Sequence, residues 1–66
     1  MTTTKAQALE TVATLGEAWE ASNRKDDAVR DELIAAVRAA VALWVPEYTV
    51  QKAARVSRTT ISKWTA

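Results

Sequence analysis

Apolar positions recur every three or four residues along almost the whole chain, and no stretch alternates with period two for long enough to predict a strand. The pattern predicts an all-α protein. Leu9, Val12, Leu15 or Gly16, and Trp19 form one stripe on a first helix over residues 5–22, with Glu10, Glu17 and Glu20 to its sides and back. Gly16 costs that helix about 1 kcal/mol relative to alanine, and marks either a close helix crossing or a tolerated irregularity. Residues 22–27 (Ser-Asn-Arg-Lys-Asp-Asp) are a polar break. Asp26 or Asp27 can accept from the free amides that open the next helix. That second helix is predicted over about 27–45, with Val29, Leu33, Val37, Ala40 or Val41, and Trp44 as its stripe. Ile34, Ala36 and Val45 widen the stripe enough to touch partners on two sides.

Pro46 disfavours helix in the residue before it and lacks an amide hydrogen, so it closes the second helix. Pro46, Glu47 and Tyr48 then read as a connector, and Thr49 as the cap of a third helix. Trp44 and Tyr48 flank the connector. They either wedge it against the core or leave one ring exposed for a partner. Val50, Ala53 and Ala54 make one face of a helix barely two turns long, Val56 follows out of phase, and Ile61 and Trp64 face inward from a second short helix opened by Ser57. Two short helices joined by a tight turn, with an apolar residue plugging the corner, describe a helix-turn-helix. The expected architecture is one small four-helix domain over residues 1–66. It comprises a frayed tail at 1–4, a helical hairpin at 5–45 for the core and dimerisation, and a helix-turn-helix at 49–65.

Length and composition narrow the function. A chain of 66 residues buries only about 60% of the surface its unfolded form exposes, so it must pack efficiently or share a core with a second copy. It has no cysteine and no histidine, which removes disulfides, the usual zinc clusters and the commonest catalytic base and nucleophile. The acidic pairs Asp26-Asp27 and Asp31-Glu32 suit helix capping and solvation rather than metal binding or catalysis. No enzyme activity, metal or cofactor is expected. No apolar run approaches the roughly 18 residues of a membrane span, and residues 1–5 lack the apolar stretch of a secretory signal, so the expected location is cytoplasmic.

The net charge of +1 is unevenly divided. Residues 1–48 carry five basic against eight acidic side chains, a balance of −3, while residues 49–66 carry Lys52, Arg55, Arg58 and Lys63 with no acid, a balance of +4. A basic end on an otherwise acidic chain is the footprint of a phosphate-facing surface. With Ile61 and Trp64 inward, helical geometry turns Arg58, Thr59, Ser62 and Lys63 outward, giving a small, polar, positive face suited to a DNA major groove.

Residues 56–64 (Val-Ser-Arg-Thr-Thr-Ile-Ser-Lys-Trp) resemble the turn and recognition helix of small bacterial and phage helix-turn-helix proteins, as found in resolvase and invertase tails and transposase-associated proteins. The stretch from Arg30 to Ala40 resembles the helix preceding such motifs in small actinobacterial and phage regulators. The chain departs from the family pattern at Arg55, where glycine is preferred, and at Gln51, where alanine is preferred. A non-glycine residue in a left-handed turn costs roughly 1 kcal/mol or more, so either the turn is strained or Ala53 or Ala54 supplies the close approach.

The resemblance implies base contacts from Arg58, Thr59 and Ser62, and phosphate contacts from Ser57, Thr60, Lys63, Lys52, Gln51 and Thr49. Each hydroxyl has a local backbone bond as its alternative, Lys52 and Arg55 have plain solvation, and Trp64 has core packing against base stacking. It further implies a sequence-specific double-stranded-DNA-binding regulator, a repressor, activator or recombination accessory of phage or mobile-element type. Such a protein would be nucleoid-associated and paired as a homodimer through its first two helices. The competing expectations are a protein-interaction module, whose hairpin binds a polymerase subunit or host factor, and an architectural protein that coats DNA without sequence preference.

Overall fold

Helix α1 (Lys5–Ala21) opens at Thr4. The Thr4 hydroxyl accepts from the Gln7 amide at 3.1 Å and the Gln7 side chain accepts from the Thr4 amide at 3.0 Å, a reciprocal capping box that satisfies two otherwise free donors. Thr4 is therefore a structural cap and not part of a frayed tail. The computed structural model describes residues 3–66, and the first two residues of the expected tail lie outside them. The helix ends in a turn closed by Asn23 and Arg24, both at positive φ, with the Arg24 amide bonded to the Trp19 carbonyl at 2.9 Å and the Asn23 amide to the Glu20 carbonyl at 3.0 Å.

Asp26 then caps helix α2 (Asp27–Ala42), accepting from the amides of Ala28 and Val29 at 3.1 and 3.2 Å. This helix stops short of the predicted residue 45. Trp44 adopts the left-handed conformation at φ 66, its amide reaching the Val41 carbonyl and the Val45 amide reaching the Ala40 carbonyl. The reversal carries Val45 back into the core and throws Trp44 outward, 85% exposed. Trp44 is thus corrected from a core position to a surface one.

Helix α3 (Glu47–Ala54) starts two residues before the expected cap Thr49. Pro46 stands at its N-cap in an extended conformation, φ −56 and ψ 136. Its missing amide costs nothing there, and its carbonyl accepts from Val50 at 3.1 Å. Glu47 and Tyr48 therefore belong to the first turn of α3, not to a connector, and Tyr48 is 67% exposed. Helix α4 (Arg58–Thr65) completes the all-α domain, and no strand occurs among the described residues.

α1 packs on α2 and α3, while α2 packs on every other helix. Ala8, Val12, Leu33, Val37, Ala40, Val45, Val50, Ala54, Ile61 and Trp64 are buried at the centre. The stripe on α1 is centred on small residues, Ala8, Val12 and Gly16, with Leu9, Leu15 and Trp19 half-buried at its edges. Gly16 is where α1 meets α3: a Cβ built there would stand 2.8 Å from the Ala54 carbonyl oxygen and 2.9 Å from the Ala54 Cα. Of the two expectations for Gly16, the close crossing is the one observed. The radius of gyration, 10.7 Å, matches the roughly 11 Å of a fully packed domain of this length. The core closes within one chain. Outer positions of α1 and α2 carry alanines and charges, and no large apolar side chain stands exposed on either. No helix among the described residues is long and apolar enough to cross a membrane.

Candidate nucleic-acid interface

The turn between α3 and α4 is made by Arg55, at φ 60 and ψ 40, in the left-handed region. Its amide bonds the Lys52 carbonyl at 3.3 Å and the Val56 amide bonds the Gln51 carbonyl at 3.4 Å, so two of the carbonyls in the last turn of α3 are satisfied without glycine. The close approach is supplied by Ala54 against Gly16, and Val56 packs half-buried against the core.

Three long-range contacts hold this turn and the helix after it. The Arg24 guanidinium donates to the Arg55 carbonyl at 2.9 Å, and the Arg55 guanidinium pairs with Glu20 at 3.3 Å. At the far end, Arg38 Nε donates to the Trp64 carbonyl at 2.7 Å, satisfying one of the carbonyls that a helix end leaves free. Trp64 itself is buried against Trp19, ring centroids 5.7 Å apart and tilted by 56°, and the Arg24 guanidinium lies 5.6 Å from the Trp19 ring centroid. Arg55 is thereby engaged within the chain.

Within α4 the sequence assigns each side chain a direction. Ser57 caps the helix, accepting from the Thr60 amide at 3.2 Å, and its hydroxyl shares a hydrogen bond with the Thr60 hydroxyl at 2.9 Å. Ile61 and Trp64 point into the core, while Arg58, Thr59, Ser62 and Lys63 are all exposed. Lys63, in the last turn, sits at the negative end of the helix dipole.

Arg58 and Ser62, one turn apart, line a cleft of about 360 Å³ between α4 and α3, together with Gln51, Ile61, Glu47 and Tyr48. Thr59 and Lys63 stand on the outer face beyond it. The structure therefore brings Arg58, Ser62 and Gln51 together. It does not bring Thr49 to them: Thr49 lies about 200° round α3 from Gln51 and is absent from the cleft. Lys52 is exposed, with its ammonium 5.1 Å from the Tyr48 ring centroid.

No family model matches the chain, and no curated protein or solved structure matches it.

What the α3–α4 surface can do follows from its own side chains. Arg58, Ser62 and Gln51 at the cleft, with the acid Glu47 beside them, and Thr59 and Lys63 on the outer face are able to bond anionic oxygens and the donor and acceptor edges of bases. Among the described residues no cluster of three or more metal-ligating side chains exists. Sequence reasoning missed Glu47 and put Tyr48 in a connector rather than on α3, because it took Pro46 only as a stop. Proline followed by an acid is equally a helix start, and that signal was present. Arg24, which holds the Arg55 turn, and Arg38, which holds the C-terminal end of α4, gave no signal, since their partners lie 31 and 26 residues away.

Proposed function

We propose that this protein binds double-stranded DNA as a sequence-specific regulator, using α3 and α4 as a helix-turn-helix with α4 in the major groove. The observation that carries this is the face of α4: Arg58, Thr59, Ser62 and Lys63 exposed together and free of acid, on a helix fixed at its other face by Ile61 and Trp64. In this reading Arg58 and Ser62, beside the cleft, and Thr59, on the outer face, read base edges. Lys63 and Lys52 meet phosphates. The hydroxyls of Ser57 and Thr60 are engaged with each other and serve the helix start first. Because no large apolar side chain stands exposed on α1 or α2, the binding unit in this reading is the single domain.

The test is fluorescence anisotropy with labelled random-sequence duplex. Two to four phosphate contacts should weaken binding roughly tenfold to a hundredfold between about 50 and 200 mM salt. Arg58→Ala/Lys63→Ala should lower the low-salt affinity by at least about tenfold and flatten the salt dependence. Absence of binding to duplex even at the lower salt would sink the proposal. A coating protein would instead show the same loss on every sequence, whereas a sequence reader loses its preferred site selectively when Arg58→Ala is made alone.

Glu47 lines the cleft beside Arg58, and its carboxylate accepts from the Thr65 hydroxyl at 3.4 Å. Its negative charge opposes an approaching phosphate. Glu47→Gln is expected to tighten duplex binding about twofold to fivefold at low salt, with the gain fading as salt rises. An unchanged or weakened affinity in the same titration would place the DNA away from this cleft.

A further inference from the structure

Trp44 and Tyr48 are the large apolar side chains left exposed among the described residues, and neither ring belongs to the core. Trp44 also holds a left-handed turn at φ 66, a conformation that glycine or asparagine adopts at lower cost. A bulky ring placed in water on a strained backbone position does nothing for the helix end it terminates. Its use lies outside the fold.

The surroundings indicate the partner. Lys52 lies over the Tyr48 ring, and Tyr48 shares the α3–α4 cleft with Arg58 and Ser62, so the Tyr48 ring borders the basic face, with exposed Trp44 four residues before it in the chain. Two such rings offer on the order of 300–400 Å², well below the roughly 800 Å² per partner of a stable protein interface. A second copy docked on this patch alone would not hold. Flat aromatic faces beside cations suit a nucleobase, which stacks while its phosphate meets the charge. Bases within an intact duplex present only their edges, so the faces must come from unpaired nucleotides.

We infer that Trp44 and Tyr48 form a stacking platform for unpaired bases next to the duplex held by α4, which makes a duplex–single-strand junction the preferred ligand. This rests on the DNA-binding role proposed for α4. The probes are a labelled blunt duplex of about 20 base pairs and the same duplex with a thymidine overhang of about six nucleotides on one strand. The wild-type chain should bind the overhang form at least about fivefold tighter, with quenching of the exposed tryptophan's emission. Trp44→Asn should bring the overhang-to-blunt ratio near one and lose the quenching, while its melting temperature stays level or rises. Equal wild-type binding to both probes, with blunt-duplex binding intact, overturns this inference alone. Binding to neither probe removes the role of α4 and this inference with it. A wild-type dimer in sedimentation that becomes monomeric in Trp44→Asn would assign the patch to a second copy and overturn the inference as well.

Discussion

Trp64→Ala is expected to remove about a third of the protein's stability or more and to lower its melting temperature by roughly 12–40 °C. Truncating a buried tryptophan costs about 3–5 kcal/mol, and a domain of 66 residues has only about 3–10 kcal/mol in total at 0.05–0.15 kcal/mol per residue. The ring is buried under α2 and against Trp19, and the backbone carbonyl of the same residue accepts from Arg38. Its loss therefore removes the packing of α4 and leaves the Arg38 guanidinium reaching for a helix end that no longer sits still. Thermal melting followed by far-UV circular dichroism reads the outcome directly. Trp64→Phe, which keeps most of the apolar area, should melt cooperatively at a lower temperature. A Trp64→Ala chain that kept its helicity and a melting point within a few degrees of wild type would show that the ring is not part of the core.

Gly16→Ala should destabilise the fold although alanine is the better helix former. The propensity gain in mid-helix is about 1 kcal/mol. Against it, the added Cβ would stand 2.8, 2.9 and 3.0 Å from the carbonyl oxygen, Cα and carbonyl carbon of Ala54. These are backbone atoms that cannot step aside as a side chain does, so α1 and α3 must separate. Overpacking of this kind costs typically 1–3 kcal/mol, and here it falls at the tight end because backbone meets backbone. A net loss of about 1–2 kcal/mol lowers the melting temperature by roughly 5–15 °C in a domain this small. Because Ala54 ends the helix that leads into the Arg55 turn, duplex affinity should fall with it. A rise in melting temperature would mean that the crossing has room to spare.

The sequence made some of this legible and hid the rest for identifiable reasons. Caps were visible at Asp26 and Ser57, since a short polar side chain before an apolar period is a local signal, and both accept the expected amide bonds. The inward residues Leu33, Val37, Ile61 and Trp64 followed from period alone. The left-handed turn at Arg55 was one of two alternatives left open by the resemblance, in which glycine is preferred at that position. The end of α2 was not visible. Its terminating residue is a tryptophan, and hydropathy assigns a tryptophan in phase with a stripe to the core. Only the backbone reversal at Trp44 puts Val45 inside instead. The centre of the α1 stripe was similarly displaced: pattern weights large residues, but a helix that approaches its neighbour closely places its small ones, Ala8 and Gly16, at the contact. The face of α4 was read from spacing, while its anchors Arg24 and Arg38 depend on contacts that only the folded chain brings together.

The shortness of α4 has a consequence for how this surface exists at all. Eight residues are too few to remain helical alone in water, where about 12–15 are needed for even marginal stability. The helix persists because Arg24, in the first interhelical turn, holds the Arg55 turn that leads into it, because Arg38 of α2 holds its C-terminal end, and because its apolar side lies in a core shared with α2. The surface therefore forms only together with the rest of the fold. A nick between α1 and α2, far along the chain from Arg58, would dissolve the surface as surely as a cut within it. Conversely, whatever engages α4 stabilises the whole molecule by mass action and withholds all four helices from proteolysis together.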